Sequence, residues 1–353
     1  MNSKLFSDKL IAWYKEKARP LPWRLTRDPY KIWISEIILQ QTRVAQGLPY
    51  YEKFVRQFPT LADLANAPEQ KVLRLWQGLG YYSRARNLHR CAKIIVKQFN
   101  GKFPERFAEL IKLPGIGPYT AAAIASLAFG ETVAVVDGNV FRVLSRIFEI
   151  DIDIASGKGK KYFFSLANQL IDRQHPDLFN QSLMEFGATQ CLPQKPKCED
   201  CIYARSCRAN RKSLQELLPV KSKKTKIKQR YFYYFVIRTK NKYLMRQRKE
   251  KDIWHGLYDF YLVESTRTRQ IEIMMKEDAL LKKLEVHQAS KTFVQALTHQ
   301  KLHVRFIELK SIAKTPINSD LKKQGYEWFT TQQATQLPKP MLVARYLKES
   351  RRT

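Results

Sequence analysis

The chain has 353 residues, long for one hydrophobic core and sufficient for two domains, and 44% of them are hydrophobic, which excludes a chain disordered by composition. Lysine and arginine number 63 against 32 aspartate and glutamate residues, and the net charge of +31 must lie on the surface and attract a polyanion. DNA, RNA or an acidic membrane accounts for this charge, whereas a small neutral ligand does not.

The N-terminal region predicts a helix rather than a targeting segment. Its charges are scattered, it has no cleavable apolar region, and Phe6, Leu10, Trp13 and Tyr14 fall on one helical face. No stretch of the chain reaches the roughly 18 apolar residues of a membrane-spanning helix. We therefore expect an intracellular, cytoplasmic protein that does not enter a membrane. Periodic apolar stretches broken by proline and glycine continue to residue 207, so a helical domain is predicted over residues 1–207.

An acidic residue, Glu36, lies in an apolar part of this region, between Trp33-Ile34 and Ile37-Ile38-Leu39. Burial there would raise its pKa and keep it protonated, as a general acid requires. The alternative is an acid in the first turn of a helix, where it pairs with the cap. The residues by themselves favour that alternative.

A glycine-rich turn, Leu113-Pro114-Gly115-Ile116-Gly117-Pro118, precedes a stretch of small residues that begins at Ala121. Gly115 and Gly117 allow a tight turn that brings backbone N–H groups close to an anion, and the start of the next helix favours negative charge. The pattern over about residues 110–130 resembles a helix-hairpin-helix that holds a DNA phosphate. A plain helix turn would not require these residues in this order.

Twenty residues beyond Gly117, an apolar run delivers Asp137 to the start of a predicted helix that carries Val140, Val143 and Leu144. An aspartate in this place is a helix N-cap. A carboxylate held there can also stay ionised and stabilise a nearby positive charge. Both roles remain open from the residues alone.

Four of the five cysteines, Cys191, Cys198, Cys201 and Cys207, form the compact pattern C-x6-C-x2-C-x5-C. Four thiolates are the usual complement of a closed metal site. Structural zinc sites usually present paired, closely spaced cysteines, and this pattern has one such pair. An uneven loop suits a cube-shaped 4Fe–4S cluster better, although zinc stays open. The fifth cysteine, Cys91, lies on an apolar helical face and is predicted to be a packed core residue.

The character of the chain changes after residue 207. Residues 208–229 are strongly basic and predict a solvated linker. Residues 230–353 predict an α+β domain, with strands near 231–237, 254–263 and 302–306 and helices near 268–285 and 341–349.

The hairpin, the later aspartate and the four-cysteine loop together resemble the endonuclease III superfamily of DNA glycosylases over residues 1–207. Within it, the segments 21–24, 33–42, 77–86 and 136–140 look like the adenine glycosylase branch, the MutY family. Residues 230–353 resemble, more weakly, the nudix-like domain of that branch. The implied fold is a mainly α helix-hairpin-helix glycosylase with an iron–sulfur loop, followed by an α+β nudix-like domain.

The resemblance implies base excision repair: adenine mispaired with 8-oxoguanine or guanine in double-stranded DNA is flipped out and its N-glycosidic bond is hydrolysed. Glu36 would protonate adenine at N7, Asp137 would stabilise the oxocarbenium-like sugar, and Tyr119 and Asn139 would orient them. The four cysteines would hold a 4Fe–4S cluster, and the protein would be a monomer, associated with the nucleoid in a bacterium. The residues implied to contact DNA are Arg24, Gln41, Thr42, Leu79, Tyr81, Gly115, Gly117, Thr298 and His299.

Three positions separate this chain from related enzymes. Lyases of the superfamily carry a lysine where this chain has Tyr119, and tyrosine cannot form a Schiff base, so strand cleavage is not expected. In the nudix-like domain, Leu297 and Thr298 stand where the family often has Phe-Ser before His299, so the aromatic contact is lost and the hydroxyl and imidazole remain.

Two alternatives to an adenine glycosylase stay open. One is a pyrimidine-lesion glycosylase/lyase, and the other is a non-catalytic iron–sulfur DNA-binding protein.

Overall fold

The computed structural model describes residues 2–222, 227–310 and 319–350. The chain divides into two compact units. The helical unit contains Met1–Asn66 and Asn87–Lys223, and the mixed unit contains Ala67–Arg86 and Lys224–Thr353. No helix within the described ranges is long and apolar enough to cross a membrane.

The helices follow the chain order. They are α1 (Ser3–Lys17), α2 (Pro29–Leu39), α3 (Val44–Gln57), α4 (Leu61–Asn66), α5 (Glu69–Leu75), α6 (Ser83–Gln98), α7 (Phe107–Leu110), α8 (Pro118–Phe129), α9 (Gly138–Phe148), α10 (Gly157–Leu170), α11 (Pro176–Thr189), α12 (Arg208–Arg211), α13 (Ile271–Glu277), α14 (Ser319–Lys323), α15 (Thr331–Gln336) and α16 (Met341–Glu349). The strands are β1 (Lys228–Val236), β2 (Lys242–Gln247), β3 (Tyr258–Asp259), β4 (Tyr261–Ser265), β5 (Val286–Ala289), β6 (Phe293–Ala296), β7 (Gln300–Leu309) and β8 (Tyr326–Thr330).

The core of the helical unit joins α1 to α9, α10 and α11. The apolar face predicted for α1 is buried there, and the Phe6 ring stacks on Tyr203 with 5.0 Å between centroids. The core also takes in Ala209 and Leu218, and the Ile154 N–H donates to the Val220 carbonyl at 3.1 Å. The first part of the stretch predicted as a solvated linker, residues 208–229, therefore packs on this unit. Residues 223–226 of that stretch lie outside the described residues.

The described residues of the mixed unit form two sheets. One has the order β4-β1-β7-β5 with β6 also on β7, and the other has the order β3-β2-β8. β1 and β7 pair in parallel, with Phe232 opposite Val304, and the remaining pairs in the first sheet are antiparallel. The alternation predicted for Leu302, Val304 and Phe306 is confirmed, because all three are buried. The α+β character predicted for this part of the chain is confirmed as well.

Two predicted elements of the mixed unit are shorter than expected. The strand predicted over 254–263 begins only at Tyr258, because the preceding residues turn at Gly256, whose φ is +82°. The helix predicted over 268–285 ends at Glu277. The Asp278 side chain accepts hydrogen bonds from the N–H groups of Leu280 and Leu281, and this local turn competes with the helix.

Candidate active site

Glu36 lies in the second half of α2. Asp28 caps this helix by accepting from the Tyr30 N–H at 2.9 Å, and Pro29 is its first residue, so the first turn ends well before Glu36. The alternative of a first-turn acid is therefore wrong. Glu36 is 6% exposed within an apolar helix, which is the buried setting that a proton-donating carboxyl requires.

Asp137 is the N-cap of α9. One oxygen accepts from the Val140 N–H at 2.8 Å, and the other accepts from the Asn139 Nδ2 at 2.7 Å. The capping role is confirmed, and it leaves the carboxyl on the wall of a cavity. Burial raises the pKa of Asp137, and the hydrogen bonds from Val140 and Asn139 act in the opposite direction.

One cavity of about 190 Å³ in the helical unit brings the predicted catalytic residues together. Glu36, Tyr119, Asp137 and Asn139 all line it, and so do the predicted contact residues Arg24 and Thr42. The sequence positions of these residues span more than one hundred residues, so helix packing alone assembles them. A cavity with Glu36 and Asp137 on its wall can supply a proton to a bound base and an anion to the sugar that the base leaves.

Burial sets the protonation of Glu36, and the neighbouring groups adjust it. Burial raises the pKa of Glu36 to about 7, and the neighbouring Asp137 carboxyl also raises it, whereas a hydrogen bond with Tyr119 and the charge of Arg24 lower it. Burial and the two carboxyl groups raise the pKa of Tyr119 well above its ordinary value, so it remains a neutral phenol. Its hydroxyl lies 3.5 Å from the Met184 sulfur.

Sequence analysis missed a second buried acid in this cavity, Glu185 of α11. Its side chain is fully buried, and its two oxygens each lie 2.6 Å from a nitrogen of Arg19, while one also lies 2.6 Å from Arg24. Burial by itself raises the pKa of Glu185, but the hydrogen bonds and charges of Arg19 and Arg24 outweigh it and lower the pKa to about 2. The sequence could have indicated Glu185, because it lies among apolar residues in Leu183-Met184-Glu185-Phe186, as Glu36 does in its own helix.

Arg142 was also missed, and it links Asp137 to the cysteine loop. Its guanidinium donates to the Cys191 carbonyl at 2.8 Å, to the Gly187 carbonyl at 2.7 Å and to the Asn139 Oδ1 at 2.9 Å. Asn139 in turn donates to Asp137. Because Arg142 occupies the amide oxygen, Asn139 presents its NH₂ group to the carboxylate, and the orientation of Asp137 depends on the backbone at Cys191.

The glycine-rich turn joins α7 to α8 as expected, and its two glycines differ. Gly115 has a φ of +79°, and a Cβ added to it would lie 2.6 Å from the Asn87 Cβ, so both backbone and space require glycine. Gly117 has an extended φ of −90°, and no atom lies within 4 Å of an added Cβ. The tight-turn argument therefore holds for Gly115 and not for Gly117, which instead leaves open space before the N-terminus of α8.

The four cysteines of the loop line one small cavity, together with Arg146 and Gln215. Arg146 donates to the Cys191 sulfur at 3.5 Å, and the Tyr203 N–H donates to the Cys201 sulfur at 3.4 Å. Across the described ranges, no group of three or more His, Cys, Asp or Glu side chains is placed to hold a single metal ion. Four thiols on the wall of one cavity are a donor set of the kind that metal sites in proteins use.

A second cavity, of about 270 Å³, lies within the mixed unit. Thr298 and His299 form the exposed tip of the β6–β7 hairpin, closed by a hydrogen bond from the Leu297 N–H to the Gln300 carbonyl at 2.8 Å. The Thr298 hydroxyl is hydrogen-bonded to the hydroxyl of Tyr81, whose φ is +49°. The cavity lining also includes Leu297, Asp252 and Trp254.

Three of the residues implied to contact DNA, Gln41, Leu79 and Tyr81, have different environments. Gln41 is exposed, with a φ of +55° just after α2, and belongs to the helical unit. Leu79 and Tyr81 belong to the mixed unit. Tyr81 is 42% exposed, whereas Leu79 is only 7% exposed, so its side chain is not presented at the surface.

Comparison with known proteins agrees with this geometry. Residues 34–167 match the model of the HhH-GPD superfamily of base excision DNA repair proteins, and residues 233–349 match the NUDIX domain. A solved thermostable thymine-DNA glycosylase is similar in fold, with a TM-score of 0.54 and 32% identity over 60% of this chain and 97% of that one. The helical unit, with its match to this superfamily and its carboxyl groups around one cavity, is therefore that of a base excision repair glycosylase of the helix-hairpin-helix class.

Two curated relatives narrow the class. The chain is 36% identical to the adenine DNA glycosylase of Buchnera aphidicola subsp. Baizongia pistaciae (strain Bp), over 97% of this chain and 96% of that protein. It is 46% identical to the human adenine DNA glycosylase over 60% of this chain and 41% of that protein. The chain belongs to the adenine DNA glycosylase family. The predicted family and enzyme class are confirmed.

Proposed function

We propose that this adenine DNA glycosylase removes adenine paired with 8-oxoguanine or guanine in double-stranded DNA and leaves the strand intact. The observation that carries the proposal is a buried carboxyl, Glu36, whose pKa of about 7 keeps it protonated near neutral pH beside a second, hydrogen-bonded carboxyl, Asp137. Such a pair can donate a proton on one side of a glycosidic bond and stabilise positive charge on the other.

The steps follow from the chemistry of the leaving group. The adenine must first leave the base stack, at a cost of a few kcal/mol, to reach a cavity inside the helical unit. Glu36 then donates its proton to N7, which turns adenine from an anionic into a neutral leaving group. The sugar acquires oxocarbenium character, which Asp137 stabilises while Asn139 holds its carboxylate. Water adds to C1′ of the sugar and gives its proton to the Glu36 carboxylate, which restores the acid. Tyr119, a phenol, offers no amine for strand cleavage.

The cavity of the mixed unit supports recognition of the opposite base. Oxidation of guanine at C8 turns N7 from a hydrogen-bond acceptor into an N–H donor. The hydroxyls of Thr298 and Tyr81 can accept such a bond, and His299 lies on the same exposed hairpin tip. Leu297 supplies apolar contact without an aromatic face. The net charge of +31 supports binding to the phosphate backbone.

The test is a single-turnover assay on duplexes that differ only in the base opposite adenine. We expect the wild-type protein to release adenine faster opposite 8-oxoguanine than opposite guanine, and to leave an abasic strand that breaks only after alkali. Thr298→Ala should reduce the preference for 8-oxoguanine several-fold, because one hydrogen bond contributes about 0.5–1.5 kcal/mol.

Thr335→Ala, at a half-buried position in α15 of the same unit and outside the second cavity, is the matched control and should leave the preference unchanged. An equal rate opposite both bases would contradict the proposed substrate. Strand breakage without alkali, accompanied by covalent trapping with borohydride, would contradict the proposed reaction.

We further propose that Cys191, Cys198, Cys201 and Cys207 hold a 4Fe–4S cluster. Their shared cavity and the hydrogen bonds to three of the sulfurs support this assignment. When bound, the cluster would crosslink the loop. The loop carries Lys195, Lys197, Arg205 and Arg208, so a pinned loop would present these cations to DNA phosphate.

Protein purified without oxygen should contain about four iron atoms per chain and absorb visible light. Cys198→Ser should lower the iron content and weaken DNA binding together, because the loop loses one of its four crosslinks. Cys91→Ala is the matched control, since this buried cysteine lies outside the loop and should leave the iron content unchanged. Stoichiometric zinc without iron in the native protein would contradict the assignment.

We also propose that the protein acts as a monomer in the compartment that holds the DNA, which in a bacterium is the cytoplasm and its nucleoid. The high net charge supports this, because self-repulsion keeps proteins apart at the low salt at which DNA binding is strongest.

A further inference from the structure

Glu185 makes an unusually complete set of contacts for a buried acid. Its carboxylate is fully buried and accepts from the Arg19 backbone N–H at 3.2 Å, from the Arg19 Nε and Nη2 at 2.6 Å each, and from the Arg24 Nη2 at 2.6 Å. Arg24 also donates to the Arg19 carbonyl at 3.1 Å. The two guanidinium groups are therefore held by one anion, on the wall of the cavity that contains Glu36.

The charged and titratable groups that face Glu36 come from every side of this cavity. Tyr119 comes from α8 and Asp137 from the start of α9, while Arg24 comes from the 3₁₀ turn Pro22–Arg24. Arg19 and Glu185 complete the set. Of these groups the two arginines are cationic. The charge of Arg24 lowers the pKa of Glu36 and so favours its ionised form, which cannot donate a proton.

We propose that Glu185 is a positioning residue for base release: its carboxylate holds and neutralises Arg19 and Arg24, so that these guanidiniums line the base cavity without drawing Glu36 into its ionised form. The inference rests on the proposed role of Glu36 as the acid. It assigns a function to the buried Glu185 carboxylate, which caps no helix and takes no part in the proposed cleavage of the glycosidic bond.

The charges in the cavity explain why Arg19 and Arg24 require an ionised carboxylate, Glu185, beside them. Guanidinium groups are useful donors to the acceptor nitrogens of a purine, but two of them in a buried cavity bring two positive charges near Glu36. One carboxylate that accepts from both offsets much of this field and fixes their geometry. Glu185 stays ionised throughout the neutral range, since Arg19 and Arg24 lower its pKa to about 2.

The test is the pH dependence of single-turnover adenine release for Glu185→Gln and Glu185→Asp. The wild-type rate should fall as Glu36 ionises. In Glu185→Gln the midpoint of this fall should move to lower pH by on the order of one unit, with rates within about tenfold of wild type at the acid end. Glu185→Asp retains the charge, so its midpoint should stay at the wild-type value even if its rate is lower.

Arg19→Gln provides a measurement of opposite sign at a partly exposed residue. It removes a cation and leaves Glu185 paired with Arg24, so the midpoint should move to higher pH. If Glu185→Gln does not fold, as judged by its thermal unfolding, Arg19→Gln decides alone. Unshifted midpoints in the variants that fold would overturn the inference.

Failure of the underlying proposal has a different signature. If Glu36 is not the acid, Glu36→Gln will release adenine normally, and the wild-type profile will lack the fall near neutral pH. Carbon-13 NMR of labelled glutamate, comparing wild type with Glu185→Gln, reports the protonation of Glu36 without any catalysis. An unshifted Glu36 titration in that spectrum would refute the role of Glu185 even if Glu36 proves to be the acid.

Discussion

Glu36→Gln should bind the mispaired duplex with near wild-type affinity and release adenine at least 10²–10⁴-fold more slowly, the order of magnitude that a positioned general acid supplies. The amide keeps the size of the side chain and cannot donate the proton that N7 requires. For the wild-type protein, the pKa of about 7 predicts that release is fastest below neutral pH and falls as pH rises through about 7. Single-turnover kinetics across this range measure both effects.

The same substitution has a predictable effect on stability, which shows that lost activity is not lost folding. The pKa of Glu36 rises from 4.5 to about 7 on folding, so ionising it opposes folding; this cost is absent below about pH 4.5 and complete above about pH 7. The amide has no such cost. The free energy of unfolding of the variant, minus that of wild type, should therefore be about 3 kcal/mol larger above pH 7 than below pH 4.5.

Urea unfolding of both proteins at the two ends of the range measures this gain. A pH-independent difference would mean that Glu36 is not buried as the structure shows. Near-normal adenine release by Glu36→Gln would place the acid elsewhere.

Asp137→Asn should slow adenine release by on the order of 10²–10³-fold, because the sugar then develops positive charge opposite a neutral amide. Asparagine is a good N-cap and can still accept from the Val140 N–H. The NH₂ group of the new asparagine would face the NH₂ group of Asn139. The Asn139 amide cannot flip to offer its oxygen, because that oxygen accepts a hydrogen bond from Arg142. We therefore also expect a stability loss of about 1–3 kcal/mol, from the unsatisfied donors.

Asp28→Asn is the matched control for Asp137→Asn. Asp28 caps α2 through the Tyr30 N–H at 2.9 Å and does not line the Glu36 cavity, so its substitution should leave base release unchanged. Single-turnover rates at saturating enzyme separate release from binding. Equal rates for Asp137→Asn and wild type would show that the Asp137 carboxylate does not stabilise the sugar.

Arg142 connects the Asp137 site to the cysteine loop. Its contacts with the Cys191 carbonyl and with Asn139 mean that a change in the loop can alter the orientation of Asp137. Loss of the loop structure in Cys198→Ser should therefore affect base release as well as DNA binding, through two hydrogen bonds rather than through redox chemistry.

Local features were predictable from neighbouring residues alone. The cap at Asp137, the buried face of α1 and the helix Met341–Glu349 depend on contacts two to four residues apart, or on a short repeat of apolar positions. The order of motifs along the chain also identified the family. The strand predicted over 254–263 and the helix predicted over 268–285 were too long, because the bend at Gly256 and the turn at Asp278 interrupt the apolar pattern.

The sequence by itself determined the family, the two kinds of domain and the identity of the candidate acid. Only the tertiary structure decided what surrounds that acid. Arg19 and Arg24 lie 166 and 161 residues from Glu185 in the chain, and no periodicity links positions so far apart. Only the packing of the helices of one unit brings them to one cavity, and there exclusion of water lets a few charges set whether Glu36 keeps its proton.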